Sequence, residues 1–147
     1  TLYWLDLLRA DESAAVMGRK GVWTLSRWLH QAFDRGMPYD QFVRAFLTAR
    51  GSQFQNPPAA FSRVFRQAHE KGEAIAQLFL GIRIECAQCH DHPFDRWKRK
   101  EFYEIAAYTF GTSYRRNASD KAFGEGNVVN RFREELKKID TQFDGGG

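Results

Sequence analysis

The residues best suited to chemistry are concentrated in one short segment. The run Cys86-Ala87-Gln88-Cys89-His90-Asp91-His92-Pro93-Phe94 contains both cysteines of the chain and two of its four histidines. Two cysteines three residues apart, with a histidine directly after the second, are the attachment motif of a c-type haem. On one helical turn the two thiols reach the two vinyl groups at a porphyrin edge, and the next imidazole reaches the iron. We therefore expect thioether bonds from Cys86 and Cys89 and a proximal iron ligand at His90.

Other uses of the same residues stay open. Thiolate and imidazole groups also suit a tetrahedral zinc ion. The ligands would then be Cys86, Cys89 and His92, completed by His90 or by the distant His69. A redox dithiol is another alternative, although such pairs normally follow a strand in a βαβ unit. Residues 78–84 have the composition of a strand, but no second βαβ signal follows, and an inert cysteine pair is the remaining possibility.

A haem with two axial ligands needs a second one, on the side of the iron opposite His90. Methionine and histidine are the usual partners. In order of preference the candidates are Met37, His69, His30 and Met17. Met37 ranks first because it stands on a turn just before Pro38, although packing against the following helix is the more ordinary role of such a residue.

Composition restricts the class of protein. The chain has 147 residues, of which 43% are hydrophobic and 15% aromatic, and this content excludes a disordered segment. The length is that of a single domain with one sizeable core. Thirteen phenylalanines and four tryptophans fit a packed core, and they equally fit the apolar walls that surround a large planar ligand.

Charge, hydropathy and the chain start bear on nucleic-acid binding, membrane spanning and targeting. The net charge of +4 is mild, and no basic run is combined with a nucleic-acid motif, so we expect no nucleic-acid binding. The longest apolar stretch, near Ala74 to Ile84, is too short and too interrupted to span a membrane. No signal peptide is present and the first residue is Thr1, so we expect an internal piece of a longer polypeptide.

Helical periodicity predicts a mostly α-helical fold with few or no strands, wrapped around the bound haem. The predicted helices are Thr1–Ala10, Thr24–Phe33, one opened by Pro38 at its first position, Phe61–His69, Glu73–Ile82 and Lys100–Phe110. The helix after Pro38 has the clearest apolar stripe, with Phe42 and Phe46 one turn apart. Glycine content predicts a loop over Ala14–Gly21 and a helix break at Lys71-Gly72.

The composition changes at Gly111, which suggests two parts. Residues 1–110 form the predicted helical domain. Residues 111–147 are predicted to contain a polar loop, a short charged helix over Asn130–Ile139 and a glycine-rich tail.

Four blocks of the sequence carry a family resemblance: Trp4–Arg9, Met37–Arg44, Ala76–Gly81 and Cys86–Trp97. With these blocks the chain resembles the planctomycete cytochrome c-like domain, a family of large secreted bacterial proteins with a C-A-Q-C-H-x-H-P-F motif. The resemblance covers about Thr1 to Phe110. It implies a periplasmic or extracellular location, and a longer polypeptide in which a second planctomycete-type domain commonly follows.

The resemblance also draws attention to His92-Pro93-Phe94, which an ordinary cytochrome c does not need. His92 is too close to His90 to bind the opposite face of the same iron. We expect it to bind a second group, to pair with Asp95 or to hold the loop.

The predicted role is one-electron transfer through haem c, with a redox partner protein or other domains of the longer polypeptide as partners, rather than catalysis. The alternative is a structural or binding module of a secreted protein, stapled by zinc or another metal through Cys86, Cys89, His90 and His92. An enzyme acting on an extracellular polymer is a third class, but it needs paired carboxylates, and the eighteen acidic residues show no such pairing in the sequence.

Overall fold

The computed structural model describes residues 1–13, 17–110, 137–139 and 141–142. Within these residues the regular elements are helices and there is no strand, so the prediction of a mostly α-helical protein is confirmed. The chain divides into two compact units, Thr1–Val64 and Phe65–Gly147. The first unit contains α1 (Leu2–Leu7), α2 (Gly18–Asp34), α3 (Tyr39–Leu47), a 3₁₀ helix (Pro57–Ala60) and α4 (Phe61–Val64). The second contains α5 (Ala68–Ile75), a π-helix (Ala76–Leu80), a 3₁₀ helix (Glu85–Gln88) and α6 (Arg99–Phe110).

The core of the first unit is an aromatic cluster around Phe42 of α3. The Phe42 ring meets Trp4 edge-on at 4.8 Å between centroids, and it stacks on Trp28 at 5.8 Å. Phe46 lies edge-on to Phe42 at 5.1 Å and continues the cluster to Phe61 at 6.2 Å. Phe42 and Phe46 are both buried, as their spacing on the predicted stripe requires.

The predicted loop over Ala14–Gly21 is wrong at its end, because α2 begins at Gly18. Residues 14–16 lie outside the described part of the chain. Gly21 is helical, and its missing side chain makes room for the buried Gln53: a Cβ atom at Gly21 would lie 2.8 Å from the Gln53 Nε2 atom. That amide donates to the main-chain carbonyl of Met17 at 2.8 Å, which fixes the start of the helix.

The predicted helix break at Lys71-Gly72 is also wrong, because α5 continues through both residues. Gly72 lies where α5 crosses α6, and a Cβ atom there would be only 3.3 Å from the Ala106 Cα atom. The Thr109 hydroxyl lies 2.6 Å from the Ala68 carbonyl oxygen and joins the same two helices. The glycine therefore serves the close approach of two helices rather than the end of one.

Other helix boundaries differ by smaller amounts. The predicted helix Phe61–His69 is divided, since α5 starts at Ala68, where the Glu70 carboxylate accepts the Gln67 N–H at 3.4 Å. Pro38 precedes the first residue of α3 instead of occupying it. The predicted helix Glu73–Ile82 changes to a π-helix after Ile75 and ends at Gly81, whose φ of 69° is left-handed.

Two further expectations concern the C-terminal segment and membrane-spanning helices. Most of the predicted helix Asn130–Ile139 lies outside the described residues, although 137–139 and 141–142 are helical. Among the helices that the structure describes, none has both the length and the hydropathy needed to span a bilayer.

Candidate functional site

The two cysteines stand on a short turn that is fixed to the core of the second unit. The 3₁₀ helix Glu85–Gln88 contains Cys86, and Cys89 is its C-cap residue. Both thiols are free and exposed. Ala87, between them, has no exposed surface and belongs to a buried cluster with Ala76, Ile84 and Phe102. The alanine thus anchors the turn while both sulfurs face outward.

Backbone hydrogen bonds hold His90 on the same turn. The Ala87 N–H donates to the Ile84 carbonyl at 2.9 Å. The Cys86 carbonyl then accepts from the Cys89 N–H at 3.4 Å and from the His90 N–H at 3.5 Å. One carbonyl therefore links the first cysteine to both the second cysteine and the histidine.

The environment of His90 selects one tautomer of its ring. The Nδ1 atom lies 2.7 Å from the main-chain carbonyl oxygen of Asp91. Because a carbonyl can only accept, Nδ1 carries the proton, and in the neutral ring the Nε2 lone pair is left for a ligand. Histidines that bind metals typically donate their other N–H to a carbonyl or carboxylate in this way. His90 as a whole is an exposed residue.

His92 has the opposite arrangement. Its Nδ1 atom accepts the main-chain N–H of Phe94 at 3.2 Å, so in the neutral ring the proton is on Nε2. Its own main-chain N–H donates to the Trp97 carbonyl at 2.9 Å and closes the segment 92–97 into a loop. The Asp95 carboxylate accepts the Arg96 N–H at 2.7 Å. These bonds hold the loop, which is one of the three roles expected for His92, and the other two roles stay predictions.

Asp91 connects the turn to α6. One oxygen of its carboxylate accepts the main-chain N–H of Arg99, the first residue of α6, at 3.0 Å, and the other accepts the Lys98 ammonium at 3.0 Å. The Arg99 N–H is the main reason that the pKa of Asp91 lies below its ordinary value, and the Lys98 side chain lowers that pKa further. The carboxylate therefore stabilises the start of α6 from a position eight residues earlier.

Two aromatic residues flank the site. Trp97 packs against the buried cluster that contains Ala87, and the Arg96 guanidinium lies over its ring at 4.9 Å. The Trp97 Nε1 atom is buried, and none of the described residues accepts its hydrogen. Phe94, at the loop, is 94% exposed. The site thus combines an exposed apolar ring with a buried donor.

The remaining candidates for iron ligation are distributed over both units. Met37, His30 and Met17 lie in the unit Thr1–Val64, whereas His69 lies on α5 in the unit that carries the motif. Met17 is 2% exposed and packs in the core. The His30 Nδ1 atom is 3.3 Å from the Thr1 hydroxyl and its Nε2 atom is 3.9 Å from the Asp34 carboxylate. His69 and Met37 are half-buried.

The metal-binding side chains of the described residues can be compared with the zinc alternative. In the part of the chain that the structure describes, no three histidine, cysteine, aspartate or glutamate side chains are grouped so as to hold a metal ion. Zinc held by Cys86, Cys89, His90 and His92 requires such a group.

Sequence reasoning missed three residues of this site: Asp91, Trp97 and Lys98. A carboxylate directly after a candidate ligand was a possible signal for Asp91, but its bond to a helix that begins eight residues later is not visible in the spacing. It also missed Lys71 of α5, which is 3% exposed and whose pKa burial lowers to about 8. Nothing in the local pattern indicates that this lysine is buried.

Taken together, the fold and the site define a helical domain that presents a C-A-Q-C-H turn at its surface. The family model PSCyt2, described as a protein of unknown function (DUF1549), matches residues 1–114. The chain belongs to this family, in agreement with the planctomycete-type resemblance. A search of the curated proteins and a search of the solved structures returned no match.

Proposed function

We propose that this domain carries one covalently bound haem c and transfers single electrons. Cys86 and Cys89 form the thioether bonds, and His90 binds the iron through Nε2. The observation that carries the proposal is the pairing of two free, exposed thiols with a histidine whose Nδ1 proton is already bonded to a carbonyl. Both features support the proposal, because covalent haem attachment uses two thiols and a histidine nitrogen with a lone pair.

The surroundings of the turn are compatible with a porphyrin that carries carboxylates. The Trp97 N–H is buried without an acceptor among the described residues, and a carboxylate of the haem would supply one if haem binding opens this position. Arg96, whose guanidinium lies over the Trp97 ring, offers a bidentate partner to the same class of group. The exposed Phe94 supplies apolar surface next to the motif.

The bound haem would supply one-electron reduction and oxidation at iron. The chain itself would anchor the ring by two thioethers, hold His90 in a single tautomer and set the potential through hydrogen bonding and burial. The order of candidates for the second axial ligand, with Met37 first and His69 second, stays a prediction from the sequence. We propose that the domain works in the periplasm or outside the cell, with a redox partner or a further domain of a longer polypeptide.

The test is to produce the chain in a host that matures c-type cytochromes. We expect visible absorption bands of a reduced c-type haem that stay with the protein after acid–acetone extraction. Cys89→Ala should leave the haem on one thioether or lose it, and His90→Ala should remove the proximal ligand and change the spectrum. Gln88→Ala, in the same turn, is the matched control and should keep the spectrum of the parent.

A colourless protein from such a host would refute the proposal. Elemental analysis of the same sample then separates the alternatives. One zinc per chain without iron would establish the metal-stapled module in its place, and a protein free of both metals would leave the redox dithiol and the inert cysteine pair.

A further inference from the structure

Asp91 has three hydrogen bonds that join the candidate iron ligand to α6. Its carboxylate accepts the Arg99 N–H and the Lys98 ammonium, each at 3.0 Å. Its main-chain carbonyl oxygen lies 2.7 Å from the His90 Nδ1 atom. The side chain and the main chain of one residue thus connect a helix start with an imidazole.

We propose that Asp91 is the positioning residue of His90: its carboxylate, held at the start of α6, fixes the peptide carbonyl that keeps the His90 proton on Nδ1. The role toward iron rests on the proposed function. The role toward the imidazole does not, since it concerns the chain alone.

A fixed carbonyl is needed because His90 is exposed. A hydrogen bond between neighbouring residues on an exposed loop competes with water, and it persists only when the backbone between them is restrained. The two bonds of the carboxylate provide that restraint on one side of the carbonyl. On the other side, the bond from the His92 N–H to the Trp97 carbonyl closes the loop.

The helix itself does not depend on Asp91 alone. The Glu101 carboxylate accepts the Lys98 main-chain N–H at 2.8 Å, which is half of a capping box at the start of α6. Removing the Asp91 side chain therefore removes one of the two restraints on the carbonyl while leaving α6 another cap. This separation makes the role of Asp91 measurable.

A bond from Nδ1–H to a carbonyl increases the electron donation of the opposite nitrogen to a metal. With haem bound at His90, stronger donation favours the oxidised iron and so lowers the reduction potential. Loosening the Asp91 carbonyl is therefore expected to raise the potential.

The first experiment uses the haem-free chain with ¹⁵N-labelled histidine. Two-bond ¹H–¹⁵N correlation spectra at about pH 8, where an ordinary histidine is neutral, show which ring nitrogen carries the proton. We expect Nδ1–H for His90 in the parent chain and a mixture of tautomers in Asp91→Ala. Asp91→Asn keeps a neutral acceptor for the Arg99 N–H and should largely restore the parent spectrum.

Asp95→Ala is the matched control. The Asp95 carboxylate also accepts a neighbouring main-chain N–H, that of Arg96 at 2.7 Å, but it has no bond to α6. The His90 tautomer should therefore be unchanged in this variant. An Nε2–H tautomer in the parent chain, or an equal change in Asp91→Ala and Asp95→Ala, would overturn the inference.

The second experiment measures the reduction potential of the haem-loaded protein. Asp91→Ala should have a higher potential than the parent, and Asp95→Ala should match the parent. If Asp91→Ala changes the His90 tautomer but has the same reduction potential as the parent, the role toward iron is overturned. If the tautomers change as expected in a chain that never acquires haem, Asp91 positions His90 and it is the proposed electron-transfer function that fails.

Discussion

The buried Lys71 should make the free energy of unfolding rise with pH in the alkaline range. Lys71 is 3% exposed on α5, and burial lowers its pKa from the ordinary 10.5 to about 8. In the unfolded chain the lysine keeps its proton up to about pH 10.5. Between these two values the unfolded state binds more protons than the folded state, so the free energy of unfolding rises with pH. Below about pH 8 both states are protonated and the folded state bears the full cost of burying the charge.

The size of the effect follows from the two pKa values. The interval from 10.5 to about 8 corresponds to about 3 kcal/mol of lost stability at neutral pH. Lys71→Met keeps a long aliphatic side chain and removes the charge. We expect this variant to gain up to about 3 kcal/mol at neutral pH, and to lack the rise in stability at alkaline pH.

Urea unfolding followed by circular dichroism measures these free energies, at intervals from about pH 7 to about pH 10.5 and with a reductant present. Lys20→Met, at an exposed position, is the control and should keep the pH dependence of the parent. A parent chain whose stability is flat or falls across this interval would refute the reasoning. An undiminished rise in Lys71→Met would refute it equally, since the rise would then come from another group.

Three further predictions concern the second unit. Gly72→Ala should destabilise the fold by about 1 kcal/mol in urea unfolding, because the new Cβ atom would lie 3.3 Å from the Ala106 backbone. The cost of overpacking, about 1–3 kcal/mol, outweighs a helix-propensity gain of about 1 kcal/mol. A stabilised variant would contradict this. The pKa of Asp91 is lowered mainly by the Arg99 N–H, so its stabilisation is present above the ordinary carboxyl pKa and is lost as the pH falls through the folded-state value. Acid unfolding of Asp91→Asn should therefore be less steep, and an unchanged acid limb would speak against the bond. Trp97→Phe removes a buried N–H that no described residue accepts, so the haem-free chain should keep or gain up to about 1 kcal/mol. The haem-loaded variant should instead lose thermal stability relative to the loaded parent, and equal changes in both forms would exclude a bond from Trp97 to the haem.

Local periodicity was sufficient for part of the fold. The stripe that predicted α3 placed Phe42 and Phe46 correctly, because both residues contact neighbours along one face of one helix. The errors at Gly21 and Gly72 have a common physical cause. Each glycine was interpreted as a backbone interruption, whereas each accommodates a partner distant in sequence, namely Gln53 and the α6 backbone. The sequence around a glycine does not show which of these roles it has.

The candidate site likewise has features that are visible in the local sequence and features that depend on the fold. The spacing of Cys86, Cys89 and His90 was readable because the motif is local. The hydrogen bonds of His92 were not, since they depend on the positions of the Phe94 and Trp97 backbones. Tautomers are set by hydrogen-bond partners in three dimensions, so the difference between the two histidines became visible only with the fold.

The π-helix Ala76–Leu80 gives this half of the protein some tolerance to changes in chain length. A π-turn is an α-helix that has accommodated one additional residue. Losing one residue there would return the segment to ordinary α geometry, with Gly81 still available to end it. The same deletion between Ile84 and His90 would move Ala87 out of the buried cluster and displace both cysteines. A one-residue deletion after Ala76 in the π-helix is therefore expected to cost less stability than one within the turn that follows.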